Sequence, residues 1–231
     1  MTTTVGVSLK MYFGHSDALE WFRRVAALDT HGVELFVIPS FLAIPAALEV
    51  FAGTGVTVGA QDLFWKDAGA FTGEVSGAEL AELGVGVVEV GHAERRRLFG
   101  ETEEVVALKT AAALRNGITP VLCIGEPERS PDAAAHCIAQ LEAALAGAPA
   151  GRVIVAYEPV WAIGAAEPAP AEYIRVVTSE LKKTGHTVIY GGSAGPGLLT
   201  ALGGDVDGVF LGRFAHDVAA LAAVLDEAAA R

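Results

Sequence analysis

Three residues in this sequence, Lys10, His92 and Glu158, have side chains that together could move a proton beside a carbonyl group. A carboxylate can take the proton, a histidine can donate a hydrogen bond to the carbonyl oxygen, and a lysine can stabilise the charge that develops. Each stands at the end of an apolar run: Lys10 closes Val5–Lys10, His92 follows Val85–Val90 and Gly91, and Glu158 follows Arg152–Tyr157. Taken singly, each has an ordinary alternative: a surface lysine, a partly exposed histidine beside a helix start, a carboxylate in a buried ion pair. Two later strand ends are glycine-rich. Gly191-Gly192-Ser193 and Gly212 either open backbone N–H groups to an anion or simply turn the chain. Arg213 follows Gly212, and its planar donor fork suits phosphate unless it points into solvent.

These residues need a scaffold that brings distant strand ends together. Apolar, β-branched runs occur at Val5–Lys10, Val33–Ile38, Val56–Ala60, Val85–Val90, Ile118–Ile124, Arg152–Tyr157, Thr187–Tyr190 and Gly208–Leu211. Helical patterns lie between them at Ser16–Leu28, Pro45–Phe51, Gly77–Leu83, Thr102–Arg115, Pro131–Leu145, Pro170–Lys183 and Pro196–Leu202, and Ala215–Ala229 closes the chain. Alternation of this kind implies an α/β fold with a parallel sheet. Eight units in 231 residues suit one closed (β/α)8 barrel over residues 1–231, with no linker or charge block to divide it. Such barrels carry their sites at the C-terminal ends of the strands, where all of these residues fall.

Bulk properties narrow the function further. The apolar fraction is 52% and the mean hydropathy +0.43, enough for a sizeable core. No apolar run is long enough for a membrane span, and Met1–Thr4 leads directly into a strand without a leader pattern. A net charge of −12 argues against nucleic acid as a partner. It also means that a phosphate substrate would need local positive groups to offset the global field. Cys123 and Cys137 suggest neither a disulfide framework nor a zinc site, so a reducing cytoplasm is expected. Cys123 reads as a packed core thiol. The Pro159–Ala169 stretch reads as a lid with stiff ends and a small-residue tip, or as a long connection without motion.

The combined motifs resemble those of the triosephosphate isomerase family over nearly the whole chain. They are Leu9-Lys10-Met11, Gly59-Ala60-Gln61-Asp62, Gly69-Ala70-Phe71-Thr72-Gly73-Glu74, Gly91-His92-Ala93-Glu94-Arg95-Arg96, Cys123-Ile124-Gly125-Glu126, Tyr157-Glu158-Pro159-Val160-Trp161-Ala162-Ile163-Gly164 and Tyr190-Gly191-Gly192-Ser193. The resemblance implies a TIM barrel and an aldose–ketose phosphate isomerase without metal or organic cofactor. By it, Glu158 carries the proton between adjacent carbons through an enediolate. His92 polarises the carbonyl as a neutral imidazole, the tuning established for triosephosphate isomerases. Lys10 binds substrate, and Gly164, Ser193 and Gly212 hold phosphate. A homodimer is implied as well, with the Gly69–Glu74 loop reaching into the partner. The triose reaction of glycolysis and gluconeogenesis is the leading expectation.

Departures from the family pattern fall among the substrate-holding residues. Ser8-Leu9-Lys10-Met11-Tyr12 stands where the family has Asn-Trp-Lys-Met-Asn, and Ser8 lacks the reach of an amide. Ala93 replaces a serine, Ala165-Ala166-Glu167-Pro168 replaces Thr-Gly-Lys-Thr at the lid tip, and Arg213 replaces the second glycine of a phosphate-binding pair. An isomerase of a related tetrulose phosphate is therefore the alternative, and a phosphate-binding barrel without turnover is a further one.

Overall fold

Strands buried on both faces need near-continuous apolar sequence, and helices must cover the outer face. The computed structural model describes residues 2–30 and 32–231, so Met1 and His31 lie outside the description. Its eight strands are β1 (Thr3–Ser8), β2 (Val33–Ile38), β3 (Thr57–Ala60), β4 (Val87–Val90), β5 (Thr119–Ile124), β6 (Ile154–Tyr157), β7 (Thr187–Tyr190) and β8 (Gly208–Leu211). Each pairs in parallel with the next, and β1 pairs with β8, closing the barrel in sequence order. The expected single TIM barrel is the fold observed.

The helices are α1 (His15–Ala26), α2 (Ile44–Val50), α3 (Gly77–Leu83), α4 (Ala93–Phe99), α5 (Glu103–Arg115), α6 (Ala133–Leu145), α7 (Ala171–Lys182), α8 (Leu198–Leu202) and α9 (Val218–Ala229). Three differences from the sequence reading bear on the site. β1 ends at Ser8 rather than Lys10, because Lys10 turns into the left-handed region at φ 48°. α9 begins at Val218 rather than Ala215, after a short 3-10 turn over Arg213–His216. The sequence reading marks a helix start beside His92 but gives no helix over Ala93–Phe99, the span of α4. This seven-residue helix follows β4 directly and ends at Gly100, whose φ of 70° suits glycine. Its charged Ala93-Glu94-Arg95-Arg96-Arg97 start buries no residue and so lacks an apolar stripe.

Alternation along the strands sorts side chains into two layers. Val88 and Val90 of β4 face the helices, while Val87 joins Phe36, Val121, Ile154, Ile189 and Phe210 inside the barrel. The same parity fixes what lies above that plug. Ser8, Glu89, Glu158, Gly191 and Gly212 each come two residues after an inward position, namely Gly6, Val87, Ala156, Ile189 and Phe210. The plug is thus the floor on which the polar layer rests.

Ile189 is fully buried in this plug. Ile189→Ala should cost about 2–4 kcal/mol of stability, because the closed strands cannot collapse onto the void. Urea unfolding of both proteins checks this. A loss below about 1 kcal/mol would show that the floor repacks freely.

Candidate active site

Lys10 is set by its backbone before its side chain. The Gln61 amide donates to Lys10 O at 2.8 Å and so braces the left-handed turn. This gives the Gly59-Ala60-Gln61-Asp62 motif a positional role. Lys10 Nζ then donates to Glu94 Oε1 at 2.7 Å. Burial opposes the charge on Lys10, but the hydrogen bond and charge of Glu94, with Glu158 and Glu89 behind it, hold its pKa above the ordinary lysine value.

His92 caps α4, and its Nδ1 accepts from the Glu94 N–H at 3.1 Å. That bond places the imidazole proton on Nε2. Burial, followed by the charge of Lys10, lowers the His92 pKa to about 4, so the ring is neutral near pH 7. The positive end of α4 acts in the same direction. The rest of the motif holds this helix in place. Arg96 Nε donates to Gly91 O at 2.7 Å, and Arg95 bridges Asp62 at 2.8 Å and Glu101 at 2.5 Å. Lys109 joins the same two carboxylates from α5.

Glu158, at the end of β6, enters the cavity because the glycines after the neighbouring strands β5 and β7 both make room for it. A Cβ on Gly191 would overlap the Glu158 carboxylate, and one on Gly125 would overlap the Glu158 carbonyl. Glu158 Oε2 lies 3.5 Å from His92 Nε2 and has no hydrogen-bond partner among the described residues. Burial, reinforced by the charge of Glu89, raises the Glu158 pKa to about 8. A buried carboxylate with one oxygen unpartnered, beside a neutral N–H donor, is equipped to accept a proton from carbon while the imidazole hydrogen-bonds to an adjacent oxygen.

Glu126, on the loop after β5, ties down the lid. It accepts from Trp161 Nε1 at 2.8 Å, from Tyr173 Oη at 2.9 Å and from Tyr157 Oη. At the other end, the Ala169 N–H donates to Tyr190 Oη at 2.9 Å. Between these ties, Ser193 Oγ is 2.9 Å from both Ala162 O and Ala165 O. The backbone N–H groups of Gly164, Ser193 and Gly212 have no hydrogen-bond partner among the described residues. Arg213 turns toward the lid, with Nη2 3.5 Å from Gly164 O.

All eight site residues named from sequence line one cavity of about 570 Å³. Ser8, expected among the substrate-holding residues, lines the cavity, and its hydroxyl donates to Glu89 Oε2 at 2.8 Å. Glu89 lines the same cavity and lies 3.8 Å from His92 Nε2 through Oε1. Sequence reading missed it, although its parity with Val87 marks it as inward-facing. Burial raises its pKa to about 7 against the opposing effect of the Ser8 hydrogen bond. Cys123 is a buried core thiol, as expected, and Cys137 is also free and buried. Among the described residues no helix is long and apolar enough to cross a membrane.

Residues 3–228 match the family model for triosephosphate isomerase. The chain is 53% identical to an L-erythrulose-1-phosphate isomerase of Pectobacterium atrosepticum, over 97% of this chain and 95% of that protein. It is 44% identical to a protein of the same name from Rhizobium etli, over 94% and 89% of the two chains. A triosephosphate isomerase of a Synechococcus strain is 39% identical over 78% of this chain and 75% of its own length. Motifs, barrel and relatives agree that the chain belongs to the triosephosphate isomerase family and is an isomerase.

Proposed function

We propose that this protein interconverts four-carbon ketose phosphates, with L-erythrulose 1-phosphate as substrate. The observation that carries this reading is the 53% identity, nearly end to end, with a protein named for that substrate. It favours the tetrulose alternative over the triose expectation, and with it a place outside glycolysis and gluconeogenesis. The altered substrate-holding residues Ser8, Ala93 and Arg213 point the same way.

The chemistry follows from the substrate's connectivity. Carbon 1 carries the phosphate, carbon 2 the carbonyl, and carbon 3 a hydrogen and a hydroxyl. Glu158 takes the carbon 3 proton, and the carbon 2–carbon 3 unit becomes an enediolate. His92, through Nε2–H, and Lys10 hydrogen-bond to its two oxygens and stabilise the charge. His92 Nε2 gives its proton to the carbon 2 oxygen and takes one back from the carbon 3 hydroxyl, while Glu158 returns the carbon-derived proton to carbon 2; the carbonyl is left at carbon 3, so a ketose gives a ketose and every atom is conserved. The free N–H groups of Gly164, Ser193 and Gly212 cradle the phosphate, and Arg213 adds a charge that offsets the net −12 of the chain. We also propose a cytoplasmic homodimer joined through the Gly69–Glu74 loop. Phe71 of that loop is 42% exposed, and Met11 and Leu42 are 94% and 88% exposed, an arrangement that a partner surface would relieve.

Kinetics with both chain lengths test the substrate. The kcat/KM for L-erythrulose 1-phosphate should exceed that for glyceraldehyde 3-phosphate by at least about 100-fold, and equal or reversed values would return the assignment to trioses.

Glu158→Asp should lower kcat by about 100-fold, since withdrawing the base by about 1 Å costs that much. In the parent enzyme, kcat/KM should rise with pH and level off after a limb with an apparent pKa between 7 and 8, because the base must first lose its proton. A flat profile from pH 6 to 9, or an undiminished Asp variant, would remove Glu158 from the role.

Light scattering at micromolar concentration should show twice the chain mass, and deletion of residues 70–73 should give a monomer. A monomeric parent protein would refute the assembly.

A further inference from the structure

Glu89 is the one acidic side chain of the cavity for which the proton-transfer chemistry has no use. Its cost is plain: it is 4% exposed, and no lysine or arginine makes a salt bridge to it among the described residues. A buried carboxyl group without such a partner is unfavourable unless something else uses it. One oxygen, Oε2, is occupied by the Ser8 hydroxyl at 2.8 Å. The other, Oε1, receives no hydrogen bond among the described residues, and its recorded polar neighbour is His92 Nε2 at 3.8 Å, too far for a hydrogen bond. The floor around it is apolar, formed by Val87, Ala156, Ile189 and Phe210.

Its place in the barrel gives the free oxygen a direction. The groups assigned to phosphate come from the lid, β7 and β8, through Gly164, Ser193, Gly212 and Arg213. β4 stands across an eight-stranded barrel from β8. A substrate with its phosphate at Gly212 and its reacting carbons between Glu158 and His92 therefore runs toward β4. A three-carbon phosphate ends at the reacting carbons. A four-carbon ketose phosphate extends one hydroxymethyl group farther, away from the phosphate.

We infer that Glu89, held in position by Ser8, is the receptor for the terminal hydroxymethyl group of a four-carbon ketose phosphate and sets the chain length that this isomerase accepts. The inference rests on the tetrulose reading above and names the residues that carry its specificity. Glu89 Oε1 accepts the hydrogen bond of the carbon 4 hydroxyl, and Ser8 fixes the carboxyl rotamer through Oε2. A shorter substrate leaves Oε1 without a partner. Sites built to hydrogen-bond a hydroxyl reject analogues lacking it for this reason.

The test uses the purified full chain and two substrates, L-erythrulose 1-phosphate and its 4-deoxy analogue, with parent and Glu89→Leu proteins. Loss of the hydroxyl should lower kcat/KM of the parent by one to two orders of magnitude, the effect of a hydrogen bond to a charged group. In Glu89→Leu the same change should cost less than about threefold. Glu89→Gln, which keeps a carbonyl acceptor, should recover a preference of at least about tenfold. If the leucine protein does not fold, as judged by its thermal midpoint, Glu89→Met is read in the same way. A loss equal for both substrates would overturn the inference and leave the tetrulose reading standing, since Glu89 would then act only through the fold or through Glu158. A parent enzyme that converts three-carbon phosphates alone would sink the tetrulose reading and this inference with it.

Discussion

Two carboxyl groups buried at the mouth of a closed barrel, both facing His92 Nε2, are the constraint around which the rest of the site is arranged. Burial penalises their charged forms, and the charge of Glu89 adds to the penalty on Glu158. Lys10 offsets part of this at a distance, but its ammonium is held by Glu94 rather than by either of them. The result is a proton acceptor whose affinity for a proton lies near neutrality rather than near 4.5. A surface glutamate with ordinary solvation would be a much weaker base for a proton on carbon.

The surrounding architecture keeps that arrangement from relaxing. A neutral histidine is required between the two carboxyl groups, because an imidazolium would pair with one of them and lower its proton affinity. The Glu94 N–H on Nδ1, burial and the start of α4 all favour the neutral form. α4 is in turn fixed by Arg95 and Arg96, so the charged part of the Gly91–Arg96 motif works on position rather than on substrate. Gln61 does the same for Lys10 through the backbone. Glycines at 125 and 191 leave the volume that Glu158 needs, which is a packing requirement as strict as the chemistry.

At the lid, rigid ties at both ends contrast with a small-residue tip. Glu126 gathers Trp161, Tyr157 and Tyr173 on one side, and Tyr190 holds Ala169 on the other. Between these ties, Ser193 bonds two carbonyls of the segment and Arg213 approaches a third. Those contacts connect the ends of β7 and β8 to this segment.

The order of strands and helices, the closed barrel and the strand-end placement of Lys10, His92 and Glu158 were legible from the sequence. They follow from local alternation of apolar period and from the rule that barrels present their strand ends to one face. The glycine-rich ends of β7 and β8 were legible for the same reason. α4 was legible only as a helix start beside His92, because seven residues with no buried face leave no amphipathic stripe to read, and tertiary ion pairs with Asp62 and Glu101 hold the helix instead. Nor did the sequence alone separate Ser8 as a ligand from Ser8 as a support for Glu89. That depends on which groups β1 and β4 bring opposite each other, and Ser8 and Glu89 are 81 residues apart in the chain. Local pattern determines which side of a strand a residue occupies. Only closure of the barrel decides what it faces across the cavity, and therefore which carboxyl groups lose their water and shift their proton affinity.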